Sequence, residues 1–143
     1  VLVPNRTEAG VLMGRPPAER PAPAELARQL QDYFGVPKVV ITLGADGALV
    51  ADGTEQECVP AFNVQVLDTP GAGDAFTAGL TFGLMSGAPL ADAARFGCLT
   101  AARAVTIRES VPGFGTLAEV LEFAASHGFE IPLRVAQARR KTV

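Results

Sequence analysis

The run Val39-Val40-Ile41-Thr42-Leu43 constrains the fold most, because it is apolar or β-branched throughout and bounded by turn residues. A strand of this kind, lacking polar alternation, is suited to burial on both faces, as in a parallel sheet with helices laid over it. Val1-Leu2-Val3 has the same character and is closed by Pro4. Helical spacing follows at 7–13, 24–34, 73–85, 90–104 and 117–125; in the second of these, Leu26, Leu30, Tyr33 and Phe34 form the apolar set. Residues 48–51 and 54–59 flank Asp52-Gly53 and predict a hairpin, and 64–67 predict a further strand. The alternation gives an α/β class. In open α/β sheets ligands lie beyond the carboxyl ends of the strands, and Asn5, Gly44 and Gly71 each follow a predicted strand. They are expected at one edge.

A chain of 143 residues, 48% hydrophobic and 19% charged, is long enough for one globular core and short for two domains. Its net charge of -3, with no sustained basic stripe, argues against nucleic acid or an anionic membrane as partner. Arg134, Arg139, Arg140 and Lys141 make only the tail basic. No signal peptide or spanning segment is evident in the sequence. Cys58 and Cys98 stand alone, without CxxC spacing, which suits a reducing, cytoplasmic setting and supports neither a disulfide framework nor a thiolate metal site. His127, beside Gly128, reads as a helix C-terminal residue.

The chemistry concentrates in Asp68-Thr69-Pro70-Gly71-Ala72-Gly73-Asp74-Ala75-Phe76. A glycine turn at a helix start offers unpaired N–H groups and a partial positive charge, so Gly71, Ala72 and Gly73 form an anion site. Asp74 then stands out, since a carboxylate repels phosphate and a site that merely held phosphate would gain from Lys or Ser. A general base for a hydroxyl nucleophile explains it, with the amides and a metal ion absorbing charge on a transferred phosphoryl group. An ordinary helix cap has the same local appearance. Asn5-Arg6-Thr7-Glu8 places an amide and a carboxylate near one face of a first turn, in reach of phosphate and hydrated Mg²⁺, or else is a cap with a favourable first-turn Glu. Thr42, Leu43, Gly44, Ala45, Asp46 and Gly47 end a strand in a glycine turn that a nucleotide can approach closely, or that simply turns the chain. Residues 104–113 leave a helix for a polar, proline-bearing loop whose carbonyls, with Asp68, can bind a cation, or which is plain surface loop.

Together and in this order, these motifs resemble the ribokinase-like (pfkB-type) carbohydrate kinase family from Val3 to about Val120. The resemblance implies the carboxy-terminal portion of a three-layer, Rossmann-like ribokinase fold. Residues 1–126 would be its nucleotide-binding and catalytic part and 127–143 a basic tail. It implies that Asp74 is the catalytic base at the sugar hydroxymethyl group, and that Gly71, Ala72 and Gly73 form the anion hole. Asn5 and Glu8 match an Asn-x-x-Glu motif serving Mg²⁺ and the nucleotide phosphates. Thr42 to Gly47 match the nucleotide loop, and Cys98 occupies a position where Asn or His often contacts the nucleotide. Asp68 and the carbonyls of Pro70, Ala104, Ile107, Glu109 and Gly113 correspond to a monovalent-cation site, with Ile107 and Glu109 standing where many members have Arg and Gly.

The implied activity is ATP-dependent phosphorylation of a sugar primary hydroxyl, ribose to ribose 5-phosphate first, with Mg²⁺ and K⁺ as cofactors. Fructose, 2-keto-3-deoxygluconate and nucleoside kinases are the competing enzymes, and a non-catalytic remnant or assembly module is the competing class. Family members run to about twice this length, and the part without a counterpart here carries the sugar-gripping residues. A homo-oligomer or a separate amino-terminal half is therefore expected as partner.

Overall fold

The computed structural model describes residues 1–108 and 115–131. The chain divides into two compact units, Val1–Pro60 and Ala61–Val143.

In the first unit, α1 (Arg6–Leu12) and α2 (Pro23–Phe34) precede β1 (Lys38–Thr42), a 3-10 turn (Gly44–Asp46), β2 (Ala48–Asp52) and β3 (Glu55–Val59). Pro23 opens α2, where a missing N–H costs nothing, and Gly35 closes it. The strands form an antiparallel sheet in the order β1-β2-β3, with Val40 opposite Val50 and Asp52 opposite Glu55 around the predicted hairpin turn. β1 is thus antiparallel to β2 on one side, while on the other the two runs expected to lie parallel, 1–3 and 39–43, do so. Among the described residues the parallel pairing consists of two isolated bridges, Leu2 to Val39 and Asn5 to Thr42, so Val1-Leu2-Val3 runs beside β1 without forming a regular strand. The core joins Ala9 of α1 and Leu26, Ala27 and Leu30 of α2 to Val39, Ile41, Leu49 and Ala51 of the sheet. Val40 and Val50, on the other face, are buried as well. The double burial of β1 was readable from its apolar run; its antiparallel partner was not. The loop between α1 and α2, which carries Pro16, Pro17 and Pro21, is fastened to α1, since the Arg6 guanidinium donates to the carbonyls of Arg20 (2.9 Å) and Pro21 (2.9 and 3.2 Å).

In the second unit, α3 (Ala72–Met85) and α4 (Leu90–Val105) pack together, followed by α5 (Leu117–Ser126). The helix pair is held at close range by residues without bulk. A Cβ on Gly83 would lie 2.8 Å from the Ala93 Cα, and one on Gly97 would lie 2.8 Å from the Phe76 carbonyl oxygen. Phe76, Leu80, Phe96 and Leu99 fill the core beside these contacts. α5 begins with a capping box, in which the Thr116 hydroxyl accepts from the Glu119 N–H while the Glu119 carboxylate accepts from the Thr116 N–H at 2.6 Å. Arg103, only 8% exposed, adds an ion pair to Glu119 at 3.5 Å. Residues 64–67 are not a strand, contrary to expectation. The N–H groups of Leu67 and Asp68 both donate instead to the Val105 carbonyl at the end of α4, at 2.7 and 3.2 Å. His127 caps α5 beside a left-handed Gly128, as predicted.

Candidate functional site

The first unit brings two of the predicted motifs together. The Thr42 N–H donates to the Pro4 carbonyl at 3.0 Å, and the bridge this makes sets Asn5 beside Thr42 at the carboxyl end of β1. From that point one chain enters α1 and the other enters the glycine turn. Gly44 adopts a left-handed backbone (φ 64°) that L side chains avoid, and the Leu43 N–H closes the turn on the Gly47 carbonyl at 2.8 Å. Asn5 and Glu8 are already paired: Asn5 Oδ1 accepts from the Glu8 N–H at 2.9 Å, and Glu8 Oε2 accepts from the Asn5 N–H at 2.8 Å. The capping arrangement foreseen as the local alternative is thus present. It leaves Glu8 Oε1 and the Asn5 amide N–H₂ without hydrogen bonds among the described residues, on exposed side chains.

In the second unit, Gly71 is the N-cap of α3 with φ 81°, again a left-handed position that glycine alone occupies without strain. No side chain among the described residues caps this helix. The Ala72 N–H is satisfied by Thr69 O (3.2 Å) and the Ala75 N–H by Gly71 O (2.9 Å), while those of Gly73 and Asp74 have no acceptor among the described residues. A Cβ placed on Gly73 would meet no heavy atom within 4 Å, so the space beside these amides is open. Asp74 is exposed in this first turn and makes no hydrogen bond or ion pair among the described residues. Unpaired amides, a glycine surface and an uncommitted carboxylate together fit an oxyanion and a proton acceptor.

Asp68 sits just before this turn, its Oδ1 accepting from the Thr69 N–H at 3.0 Å. The shared Val105 carbonyl ties it to the end of α4, where the Ala104 carbonyl accepts from the Ile107 N–H at 3.3 Å. Asp68, Ala104 and Ile107 are therefore near neighbours along one connected stretch of backbone, with Pro70 two residues beyond Asp68. Glu109 and Gly113 lie outside the described residues. Among the described residues no three His, Cys, Asp or Glu side chains gather as a metal cluster, so bound cations would depend on carbonyls, water and phosphate oxygens. Cys98 is buried in α4, and loss of hydration raises its thiol to about 11 against a smaller opposing pull from Arg95. It is a neutral thiol, able to offer a ligand little beyond packing.

The sequence profile of the pfkB family carbohydrate kinases matches residues 1–112. The chain belongs to that family. Ribokinase of Haemophilus influenzae is 35% identical to this pfkB-family chain over 123 residues, and 1-phosphofructokinase of Haloferax volcanii is 40% identical over 107. These matches take in 86% and 75% of the chain but only 40% and 35% of the relatives, so the chain spans well under half of their length. The crystal structure of Thermotoga maritima ribokinase superposes with a TM-score of 0.77 at 29% identity, covering 87% of this chain and 41% of that one. The expected ribokinase-type α/β fold is borne out in this portion. Sequence reasoning missed Thr100, Gly79 and Gly97, which set α3 against α4; the Gly79-to-Gly83 spacing was its available signal. It also missed the Thr116-to-Glu119 box, whose Thr-x-x-Glu pattern was in plain view.

Proposed function

We propose that this chain carries the nucleotide-binding and catalytic part of an ATP-dependent sugar kinase acting on a primary hydroxyl, with ribose the first substrate to test. The observation that carries the reading is Asp74: an exposed, unpartnered carboxylate in a helix turn whose neighbouring amides are unpaired. Asp74 takes the hydroxyl proton as the sugar oxygen bonds to the γ-phosphorus and the bond from that phosphorus to the β-phosphate bridging oxygen breaks, releasing ADP. The backbone of the Gly71-Ala72-Gly73 turn cradles the transferred phosphoryl group, with the unpaired N–H groups of Gly73 and Asp74 as its donors, and the open surface at Gly73 lets it approach. Mg²⁺, when bound, neutralises charge on the phosphate oxygens; Glu8 would hold it through water and Asn5 would reach phosphate. Thr42 to Gly47 pass along the nucleotide, and Cys98 packs near its base. Asp68 with the carbonyls of Pro70, Ala104, Ile107, Glu109 and Gly113 would hold K⁺. Residues 1–126 form the working part, and 127–143 a basic tail.

Fructose and fructose phosphates are the nearest competing acceptors, in keeping with the mixed names of the relatives. A second reading, a non-catalytic module, draws on the Asn5-Glu8 capping box, which gives both residues a structural use. The test is an ADP-coupled assay with MgATP and a panel of sugars, on the chain alone and on the longest natural form of the protein. Turnover lowered by about 10² to 10⁴ in Asp74→Asn supports catalysis. ATP binding without turnover in either form favours the module. K⁺ should raise the rate above that in Na⁺; equal rates would remove the monovalent-cation assignment. The reading also expects a cytoplasmic location and a partner surface, either a second copy or an amino-terminal half. No helix among the described residues is long and apolar enough to cross a membrane.

A further inference from the structure

The turn that carries Asp74 is held from behind by a buried hydroxyl. Thr100 of α4 is 7% exposed, and its Oγ1 donates to the Ala75 carbonyl at 2.7 Å, across 25 residues of sequence. The same hydroxyl lies 2.8 Å from Gly97 O and 3.3 Å from Phe96 O, the local contacts available to any helical Thr. It has one proton to give, and the shortest of the three contacts is the one between helices. Gly79 makes the room: a Cβ there would sit 2.3 Å from Thr100 Oγ1 and 2.9 Å from its Cγ2. Gly97 makes the matching room for the Phe76 carbonyl, 2.8 Å from where its own Cβ would be. Ala75 and Phe76 are the two residues directly after Asp74. Both contacts therefore act on one turn, while Asp74 itself stays exposed. Apolar helix packing tolerates sliding and rotation, whereas a hydrogen bond to a carbonyl is directional and fixes height and angle together.

We propose that Thr100 is a positioning residue for this site, its hydroxyl seated in the gap left by Gly79 and fixing, through Ala75, where the Asp74 carboxylate stands. The role rests on the kinase reading, because it gives the base its geometry and touches no ligand. Misplacing a reacting group by a fraction of an ångström weakens the transition state more than it weakens nucleotide binding.

The test compares wild type, Thr100→Val and Thr100→Ser by steady-state kinetics with MgATP and either D-ribose or D-fructose. Native-state amide exchange over residues 72–80 is measured on the same samples. Thr100→Val should lose about tenfold or more in kcat with KM for ATP held within about twofold, and Thr100→Ser should stay within about threefold of wild type. Exchange at 75–79 should quicken in the Val variant and not in the Ser variant. Wild-type kcat and exchange in Thr100→Val, or equal impairment in both variants, would overturn the proposal. If the Val variant does not fold, Thr100→Ala takes its place under the same criteria. If wild type phosphorylates neither sugar, the kinase reading loses its support, while the exchange data still decide whether Thr100 holds the turn.

Discussion

Asn5 lies beside Thr42 in a parallel bridge, so the first turn of α1 and the glycine turn after β1 leave the sheet from one point. The capping box on Asn5 fixes how α1 departs. Asn5→Ala should cost about 1 kcal/mol of stability, and Asn5→Asp, which keeps an acceptor for the Glu8 N–H, should cost less. Urea midpoints rank the two, and equal midpoints would show that the cap contributes nothing.

Gly71 should not accept a side chain. At φ 81° an alanine is strained by about 1–2 kcal/mol, and relief requires the turn to rearrange where the anion site lies. Gly71→Ala should therefore lose stability and phosphate affinity together, by denaturation and by calorimetric titration with ATP. Retention of both would place the anion elsewhere.

At Gly83 two effects oppose one another. Alanine improves helix propensity by about 1 kcal/mol, but its Cβ would be 2.8 Å from the Ala93 Cα, a backbone atom that cannot swing aside. Overpacking costs of about 1–3 kcal/mol should win. Gly83→Ala is expected to lower the melting temperature; a rise would mean that α3 and α4 separate easily.

Glu119 makes stability depend on acid. Its carboxyl is held below the ordinary value of 4.5, first by the Thr116 N–H, then by the Thr116 hydroxyl, with a smaller pull from Arg103 and an opposing one from burial. The folded group thus binds its proton less readily than the unfolded one. Its contribution is complete above 4.5 and is lost as pH falls from there through the lowered folded value. Glu119→Gln should flatten this part of the profile, read as urea midpoints from about pH 3 to about pH 6. An unchanged slope would show that the capping box does not titrate with folding.

The two thiols should separate by accessibility. Cys58 is exposed on β3, whereas Cys98 is buried with its thiol raised to about 11. An aromatic disulfide reagent should modify Cys58 promptly and Cys98 only on unfolding. Prompt loss of both would contradict the packing of α4.

The helices were readable because each carries its own periodicity and end signals, as in Pro23 to Gly35 of α2. The hairpin was readable from Asp52-Gly53. Strands are less local. Val64 to Leu67 have strand-like composition, but a strand exists only where a neighbour pairs with it, and the amides of Leu67 and Asp68 turn to Val105 instead. The antiparallel pairing of β1 with β2 was not legible for a related reason. Double burial of β1 marks its surroundings and not the sense of its partner, and β2 returns through a tight turn. At the site, the glycine turn and the carboxylate were visible as a motif, while the unpaired state of Asp74 and the hydroxyl behind it depend on helix packing that no short pattern encodes.

β3 exposes Glu55, Gln56, Glu57 and Cys58 and, among the described residues, pairs with β2 alone. The like charges of Glu55 and Glu57 along that rim disfavour pairing with a second copy of the same strand. The opposite flank of β1 differs in kind, since Leu2 and Pro4 already hydrogen-bond to it, so the two borders of this small sheet present unlike chemistry: a charged rim on one side and main chain in parallel register on the other.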